Sequence, residues 1–462
     1  MQPSSSSPAG LFDPSLRGLS VGLSLSILMI AFESLAVSTV LPSVAKELNG
    51  QALYGWSFSA FFLGYLVSTV TLGGLADRDG PRRPYAAALA LFGLGLLIAG
   101  FAPNMTVFVI GRGVQGLGGG AIGAIAYLAI NRAYPDKIRA AMLSLLSSAW
   151  VLPALIGPLA ASLIAQIFSW RAVFLGLLPL VIIAAGITLP ALSRLTGHGK
   201  PLEGRRVVLA IAVAVGAVLT LSALQTPHMW LAVLMALAGS ALILPALHGL
   251  LPAGTLRLEG ALQAGMVTRF LLTFAFLGAE VLVPLALGEL RGLSLTEAGL
   301  VLSVGALSWS FGSVLQSRLD VRYAGRSRAG LVRAGFALLS IAMLGMLCVT
   351  LLPIPAWLSG LAWLVGGLGM GLAFPSHTLV VFAHAPSGEE GKVSGNLQMV
   401  DVLGAALSAG IGGALIAGLG LQTGFTVIYS LTVCAALIGI AVAGKLVSRT
   451  AQTALGSSIK GQ

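Results

Sequence analysis

A helix needs about 20 apolar residues to cross a bilayer. The chain contains fourteen apolar runs of that kind, separated by short polar, Gly- or Pro-containing segments. They lie at 18–43 (α1), 53–76 (α2), 85–103 (α3), 106–131 (α4), 140–165 (α5), 172–192 (α6), 207–224 (α7), 229–250 (α8), 265–288 (α9), 296–316 (α10), 329–351 (α11), 355–382 (α12), 393–417 (α13) and 423–445 (α14). The stretch RLTGHGKPLEGRR follows α6, whereas only the turn QTPH parts α7 from α8. The runs therefore group as six, two and six. The expected organisation is a disordered tail at 1–17, a six-helix bundle at 18–192 and a basic linker at 193–206. Two extra membrane helices at 207–250, a linker at 251–264, a second six-helix bundle at 265–445 and a tail at 446–462 follow. The predicted fold class is an all-α membrane protein.

Composition narrows the function. Of the 462 residues, 57% are hydrophobic and 9% charged, against roughly 45–50% and 25% in soluble domains. So little charge cannot cover a soluble globule of this size. A soluble enzyme, a disordered protein and a nucleic-acid-binding domain are excluded on that ground. Sixty Gly residues suit helices that approach closely in lipid. The net charge of +11 reads as topology, because Lys and Arg stay on the cytoplasmic side of a membrane. With the N-terminus inside, 22 of the 26 basic residues, Arg269 among them, fall on the inner side. Lys46, Arg171 and Arg291 fall outside, and Arg112 lies within a span. The split predicts both termini in the cytoplasm of a multi-pass protein of the cell inner (plasma) membrane, its basic face against anionic lipid. It also requires α7 and α8 to enter the membrane together. Cys348 and Cys434 sit within apolar runs and read as small core residues. The first residues, MQPSSSSPAGLFDPS, have no apolar h-region, so no cleavable signal is read there.

An internal repeat supports two equivalent bundles. At an offset of 251 residues, RGVQGLGGG at 112–120 aligns with WLVGGLGMG at 363–371. The same offset pairs VLPA at 151–154 with VLGA at 402–405. LDVRYAGRSR after α10 reads as a decayed copy of LADRDGPRR after α2. Duplicated halves that rock about a central site are a recurrent transporter design.

Residues 73–83, GGLADRDGPRR, fit G-x-x-x-D-[RK]-x-G-x-[RK]-[RK] at Gly73, Asp77, Arg78, Gly80, Arg82 and Arg83. Gly80 allows a tight turn, and Asp77 can accept from a helix N-terminus or an arginine. The segment resembles the signature loop of the major facilitator superfamily, where it latches the halves in the outward-facing state. In α4, Arg112-Gly113-Val114-Gln115-Gly116 resembles the family's R-x-x-Q-G motif, whose arginine is linked to proton coupling. An arginine about six residues, or roughly 9 Å, into a span is usually partnered, unless it snorkels to the headgroups. Glu33, nine residues before Pro42 in IAFESLAVSTVLP, partly resembles the helix 1 segment of drug:proton antiporters. That segment has Asp, Thr and Asn where this chain has Glu33, Leu35 and Ser38. Glu33 lies roughly 21 Å from the inner end of its helix, at a depth like that of Arg112. A Glu33–Arg112 pair is therefore geometrically allowed, as a proton carrier or as a static packing pair. In α5, Gly157-Pro158 matches the antiporter motif G-x-x-x-G-P-x-x-G-G, while Pro153, Ala161 and Ser162 replace its glycines. Prolines and small residues there predict a kinked, close-packed helix.

Two more acids lie in spans, Glu280 in FLGAEVLVPL and Asp401 in LQMVDVLGAAL. Intramembrane carboxylates are functional candidates by default. These two either carry protons, attract a cationic substrate or face a solvated vestibule. Gln115, Trp150, His377, Asn396 and Gln398 are candidates for a substrate cavity, each with core packing as the alternative. No phosphate-cradling loop and no His/Cys cluster is present, so neither ATP drive, a metal nor another cofactor is expected. The resemblance implies the major facilitator fold: two six-helix bundles related by a pseudo-two-fold axis, plus two central helices. The layout resembles the fourteen-helix drug:proton antiporter branch. It implies a monomeric, proton-coupled exporter of small lipophilic or cationic compounds, in contact with membrane lipid, not an enzyme. A lipid or sugar/metabolite carrier of the same fold is the alternative.

Overall fold

In the computed structural model the described residues are 10–446, except 198, 200–202 and 387–388. Residues 1–9 of the tail expected at 1–17, residues 447–462 of the tail expected at 446–462, and linker residue Lys200 lie outside them. The regular elements among the described residues are all helices, and fourteen of them are long and apolar enough to span a membrane. In final bounds, α1 is Arg17–Glu47, α2 Tyr54–Asp79, α3 Arg82–Gly100 and α4 Met105–Ala133. The extra pair, α7 (Gly204–Ala223) and α8 (Met229–Leu250), are both of spanning length. In the second half, α10 is Leu295–Arg322, α11 Arg328–Leu351, α12 Leu358–Ala383, α13 Glu390–Leu419 and α14 Leu421–Ala443.

Three spans are broken, and each has one break next to the residue four before a proline. Proline has no N–H for the carbonyl four residues earlier. α5 divides into Asp136–Ser148 and Val151–Ile167, where Pro153 leaves the Ala149 carbonyl without a helical donor. α6 divides into Trp170–Leu175 and Leu178–Leu192, with Pro179 four residues after Leu175. α9 runs as Ala261–Ala275, Leu277–Glu280 and Val283–Arg291, with Pro284 four residues after Glu280. The kink expected in α5 from its prolines is thus a break just before the Pro153–Pro158 segment. Asn104, which begins an Asn-x-Thr triplet, caps α4 by accepting from the Val107 N–H at 3.0 Å. Ser294 and Glu297 form a capping box at the start of α10.

The chain divides into two compact units, one reaching Ala214 and the other beginning at Val215, within α7. In the first, α4 lies between α2 and α3. A Cβ on Gly116 or Gly120 would strike the Phe61 or Tyr65 carbonyl of α2, and one on Gly118 the Phe92 backbone of α3. The second unit repeats this in α12. There Gly367 and Gly371 face the Gly305 and Trp309 carbonyls of α10, and Gly369 faces Gly335 of α11. These are the glycines paired by the 251-residue offset. The repeat therefore encodes where backbones touch, which only glycine permits. Gly116→Leu is expected to cost about 1–3 kcal/mol through overpacking. It should lower folded yield and thermal stability in detergent. Gly113→Ala, whose new Cβ would meet only Ala60 at 3.9 Å, should leave both unchanged. In the extra pair, a Cβ on Gly216 would lie 2.8 Å from the Gly239 carbonyl, so a glycine contact also closes α7 on α8. The outer face of α8 exposes Met229, Trp230, Val233, Leu234 and Leu237, an apolar surface suited to lipid.

Candidate functional site

Arg112 is 1% exposed and is among the largest fully buried side chains. α4 brings it to the centre of the first unit because Gly111, Gly116 and Gly118 let the neighbouring helices close around it. Its terminal nitrogen donates to Glu33 Oε1 of α1 and to Gln115 Oε1 at 2.6 Å. Its Nε donates to the Ser57 carbonyl of α2 at 3.2 Å. The guanidinium carbon lies 4.4 Å from the centre of the Phe61 ring. Three helices thus converge on one cation, and Arg112 does not snorkel. Glu33 is also 1% exposed, but its second oxygen, Oε2, makes no hydrogen bond. The two partners are unequally held. The arginine has an acid, an amide, a carbonyl and a ring, whereas the acid keeps one oxygen spare.

The second unit holds a different charged centre. Asp401 of α13 is gripped by Arg269 of α9, with Nε to Oδ1 at 2.5 Å and the terminal nitrogen to Oδ2 at 2.9 Å. The other terminal nitrogen of Arg269 donates to the Phe374 carbonyl at 3.3 Å and to Thr378 Oγ1 at 3.0 Å. Its guanidinium lies on the Phe374 ring. This corrects the placement of Arg269 among the inner-side residues: it is 5% exposed, within a span. The predicted start of α9 at 265 put Arg269 near a helix end, but α9 begins at Ala261. Its apolar flanks, Met266-Val267 and Phe270-Leu271, were the available signal. Both oxygens of Asp401 are engaged, so this pair ties α9, α12 and α13 together. Beside it, His377 is fully buried. Its Nε2 contacts Thr268 Oγ1 and the Gly265 carbonyl, each at 2.9 Å, so it joins α12 to α9 rather than facing open space. Asn396 is buried, Gln398 half-buried and Trp150 exposed, while Gln115 serves Arg112.

Glu280 stands apart. It closes the short middle piece of α9, is half-buried, and among the described residues its carboxylate makes no ion pair and no side-chain hydrogen bond.

Asp77 has an arginine partner, as expected. Asp77 pairs with Arg132 at the end of α4, which also donates to the Thr196 carbonyl at 2.8 Å. The Arg78 carbonyl accepts from the Gly199 N–H at 3.1 Å. The loop is therefore tied to α4 and to the segment after α6. Gly80 has φ +96°, a conformation costly for any other residue. Gly73 passes α4 at Ala124. Arg82 and Arg83 are exposed, and Arg78 forms a surface pair with Asp79 at 2.9 Å. Asp77, Leu128, Asn131, Arg132, Arg194 and Thr196 border an open cleft of about 620 Å³. In the second unit the loop copy has an internal pair instead, Arg328 to Asp320 at 2.6 and 2.7 Å. In α5, Pro153, Gly157 and Pro158 are buried, with Gly157 against Leu35 and Phe32 of α1.

Comparison with known proteins matches residues 23–409 to the family model described as Major Facilitator Superfamily. A protein of Mycobacterium tuberculosis named a probable multidrug-efflux transporter is 27% identical over 438 residues, covering 89% of this chain and 92% of its own length. An uncharacterised MFS-type transporter of the same organism is 29% identical over 403 residues, covering 84% of this chain and 58% of its own. Among solved structures, a POT family transporter in complex with 5-aminolevulinic acid superposes with a TM-score of 0.70 at 15% identity, over 96% of this chain and 99% of the other. A D-xylose-proton symporter gives 0.65 at 17%, over 92% and 97%.

Proposed function

We propose that this chain, which belongs to the Major Facilitator Superfamily, is a secondary active exporter that exchanges protons for lipophilic or cationic small molecules by alternating access. The buried Glu33–Arg112 pair, with one glutamate oxygen spare, carries the reading. A proton arriving at Oε2 removes the charge that holds Glu33 to Arg112, while Arg112 keeps Ser57, Gln115 and Phe61. The attraction between α1 and α4 then differs between protonated and deprotonated states. A ligand or proton can bias a two-state protein only through such a difference. The break in α5 before Pro153, Gly157 and Pro158 is consistent with the antiporter resemblance, as are relatives named for multidrug efflux. In this reading both termini lie on the cytoplasmic side of the plasma membrane, as the basic residues of the inner loops suggest. The 73–83 loop acts as the conformational latch, with Gly73, Asp77, Arg78, Gly80, Arg82 and Arg83 in that role. Protons and a small molecule are the only exchange partners required, and the chain works as a monomer in contact with lipid.

The test is transport in proteoliposomes under an imposed pH gradient. Ethidium should move against its gradient only when protons run the other way, and labelled lipid should not be transferred. Lipid transfer without ethidium flux would overturn the proposal in favour of a lipid carrier.

A further inference from the structure

Three hydroxyls on three helices meet inside the first unit. Ser26 of α1, Tyr85 of α3 and Thr188 of α6 are each 0% exposed. The Tyr85 hydroxyl faces those of Ser26 and Thr188 without the geometry of a direct bond, and neither Tyr85 OH nor Thr188 Oγ1 makes a hydrogen bond. Ser26 Oγ donates to the Gly22 carbonyl at 2.9 Å, which leaves its oxygen able to accept. Gly22 is what admits Thr188, since a Cβ there would lie 2.2 Å from Thr188 Oγ1. Thr188 is also the only hydroxyl-bearing residue of α6. One turn along each helix, Ile30, Leu89 and Ala184 are buried and apolar. The cluster is neutral, and Glu33 lies two turns, or roughly 10 Å, further along α1.

We infer that Ser26, Tyr85 and Thr188 bind one internal water molecule, which joins α6 to α1 and α3. Two unpaired donors and three acceptors converge there, and a buried water makes about three hydrogen bonds to such groups. Without it, two hydroxyls stay unsatisfied in an apolar bundle, which is costly. Three neutral hydroxyls suit water rather than a hard cation, which draws on carboxylates and a fuller shell of oxygens. The backbone of α6 points the same way. Pro190 has no N–H for the Gly186 carbonyl, two residues before Thr188, and ordered water is one means by which spanning helices satisfy such groups. The joint also has a use. Four residues after Thr188, α6 ends at Leu192. The segment that follows binds Arg132 through the Thr196 carbonyl and the 73–83 loop through the Gly199 N–H. Fixing Thr188 therefore fixes the helix end from which that segment departs.

The test is hydroxyl-radical footprinting of the full chain in detergent, read by mass spectrometry. An X-ray pulse makes radicals from every water, bound water included, whereas laser photolysis of peroxide makes them in the bulk. Phe92, on the same helix as Tyr85 and also 0% exposed, is the dry reference, with both rings corrected for intrinsic reactivity. In the native protein Tyr85 should be oxidised well above Phe92 by the X-ray pulse and no more than Phe92 by bulk radicals. Ser26→Ala combined with Thr188→Val removes two of the three hydroxyls, and Tyr85 should then lose its X-ray labelling. Thr188→Ser keeps the hydroxyl and should retain it. Native Tyr85 labelled no more than Phe92 by X-rays would overturn the inference, and that arm needs no variant. Equal labelling of Tyr85 by both radical sources would overturn it too, because solvent and not a held water would then reach the ring. So would X-ray labelling that survives in the double variant while Phe92 stays protected.

Discussion

Glu33→Gln should fold and bind substrate yet lose pH-gradient-driven efflux by about a hundredfold or more, a loss expected of a residue that alone carries the coupled proton. Gln keeps an oxygen for Arg112, and the guanidinium retains Ser57, Gln115 at 2.6 Å and the Phe61 ring. The structural cost is therefore modest. What disappears is the ability of Oε2, which makes no hydrogen bond in the native protein, to take up and release a proton. Flux driven by a substrate gradient alone should persist and become insensitive to pH. The measurement is substrate counterflow beside proton-driven efflux in proteoliposomes. Loss of counterflow together with efflux would mean a packing role, and full efflux would remove Glu33 from the mechanism.

Arg112→Met should have the larger effect on stability. Removing one partner of a buried ion pair typically costs about 3–5 kcal/mol, because the other charge is left uncompensated. Here Arg112 is the partner of Glu33 Oε1, so the acid would be stranded 1% exposed. Thermal melting in detergent should fall well below native. The double variant Glu33→Gln, Arg112→Met removes both charges and should recover much of that stability while remaining inactive in proton-driven transport. Recovery of stability without activity separates the packing contribution of the pair from its coupling role. If the single and double variants melt alike, charge stranding is not what destabilises Arg112→Met.

The two buried arginines show how far sequence reading reaches. Arg112 stood out because it lies deep within one uninterrupted run, and its depth matched that of Glu33. Arg269 did not, because its depth depended on where α9 begins. That start at Ala261 is four residues earlier than hydropathy alone placed it. Asp401 was legible as an intramembrane acid, but not as one with both oxygens occupied. Its partner lies 132 residues away. His377 had the composition of a cavity residue, and only the positions of Thr268 and Gly265 made it a hydrogen-bonded core histidine.

The fourteen spans, the glycine pattern repeated between α4 and α12 and the turn at Gly80 were legible in the sequence alone. Each follows from local properties: run length against bilayer thickness, prolines that deny a donor four residues back, and glycines at fixed spacing. The assignment of partners was decided by tertiary structure. Glu33 has an arginine with one oxygen to spare, Asp401 has an arginine and none to spare, and Glu280 has no arginine among the described residues. The reason is electrostatic. What a carboxylate can do in a membrane depends on the charges and donors within a few ångströms of it, and those arrive from helices far away in the chain.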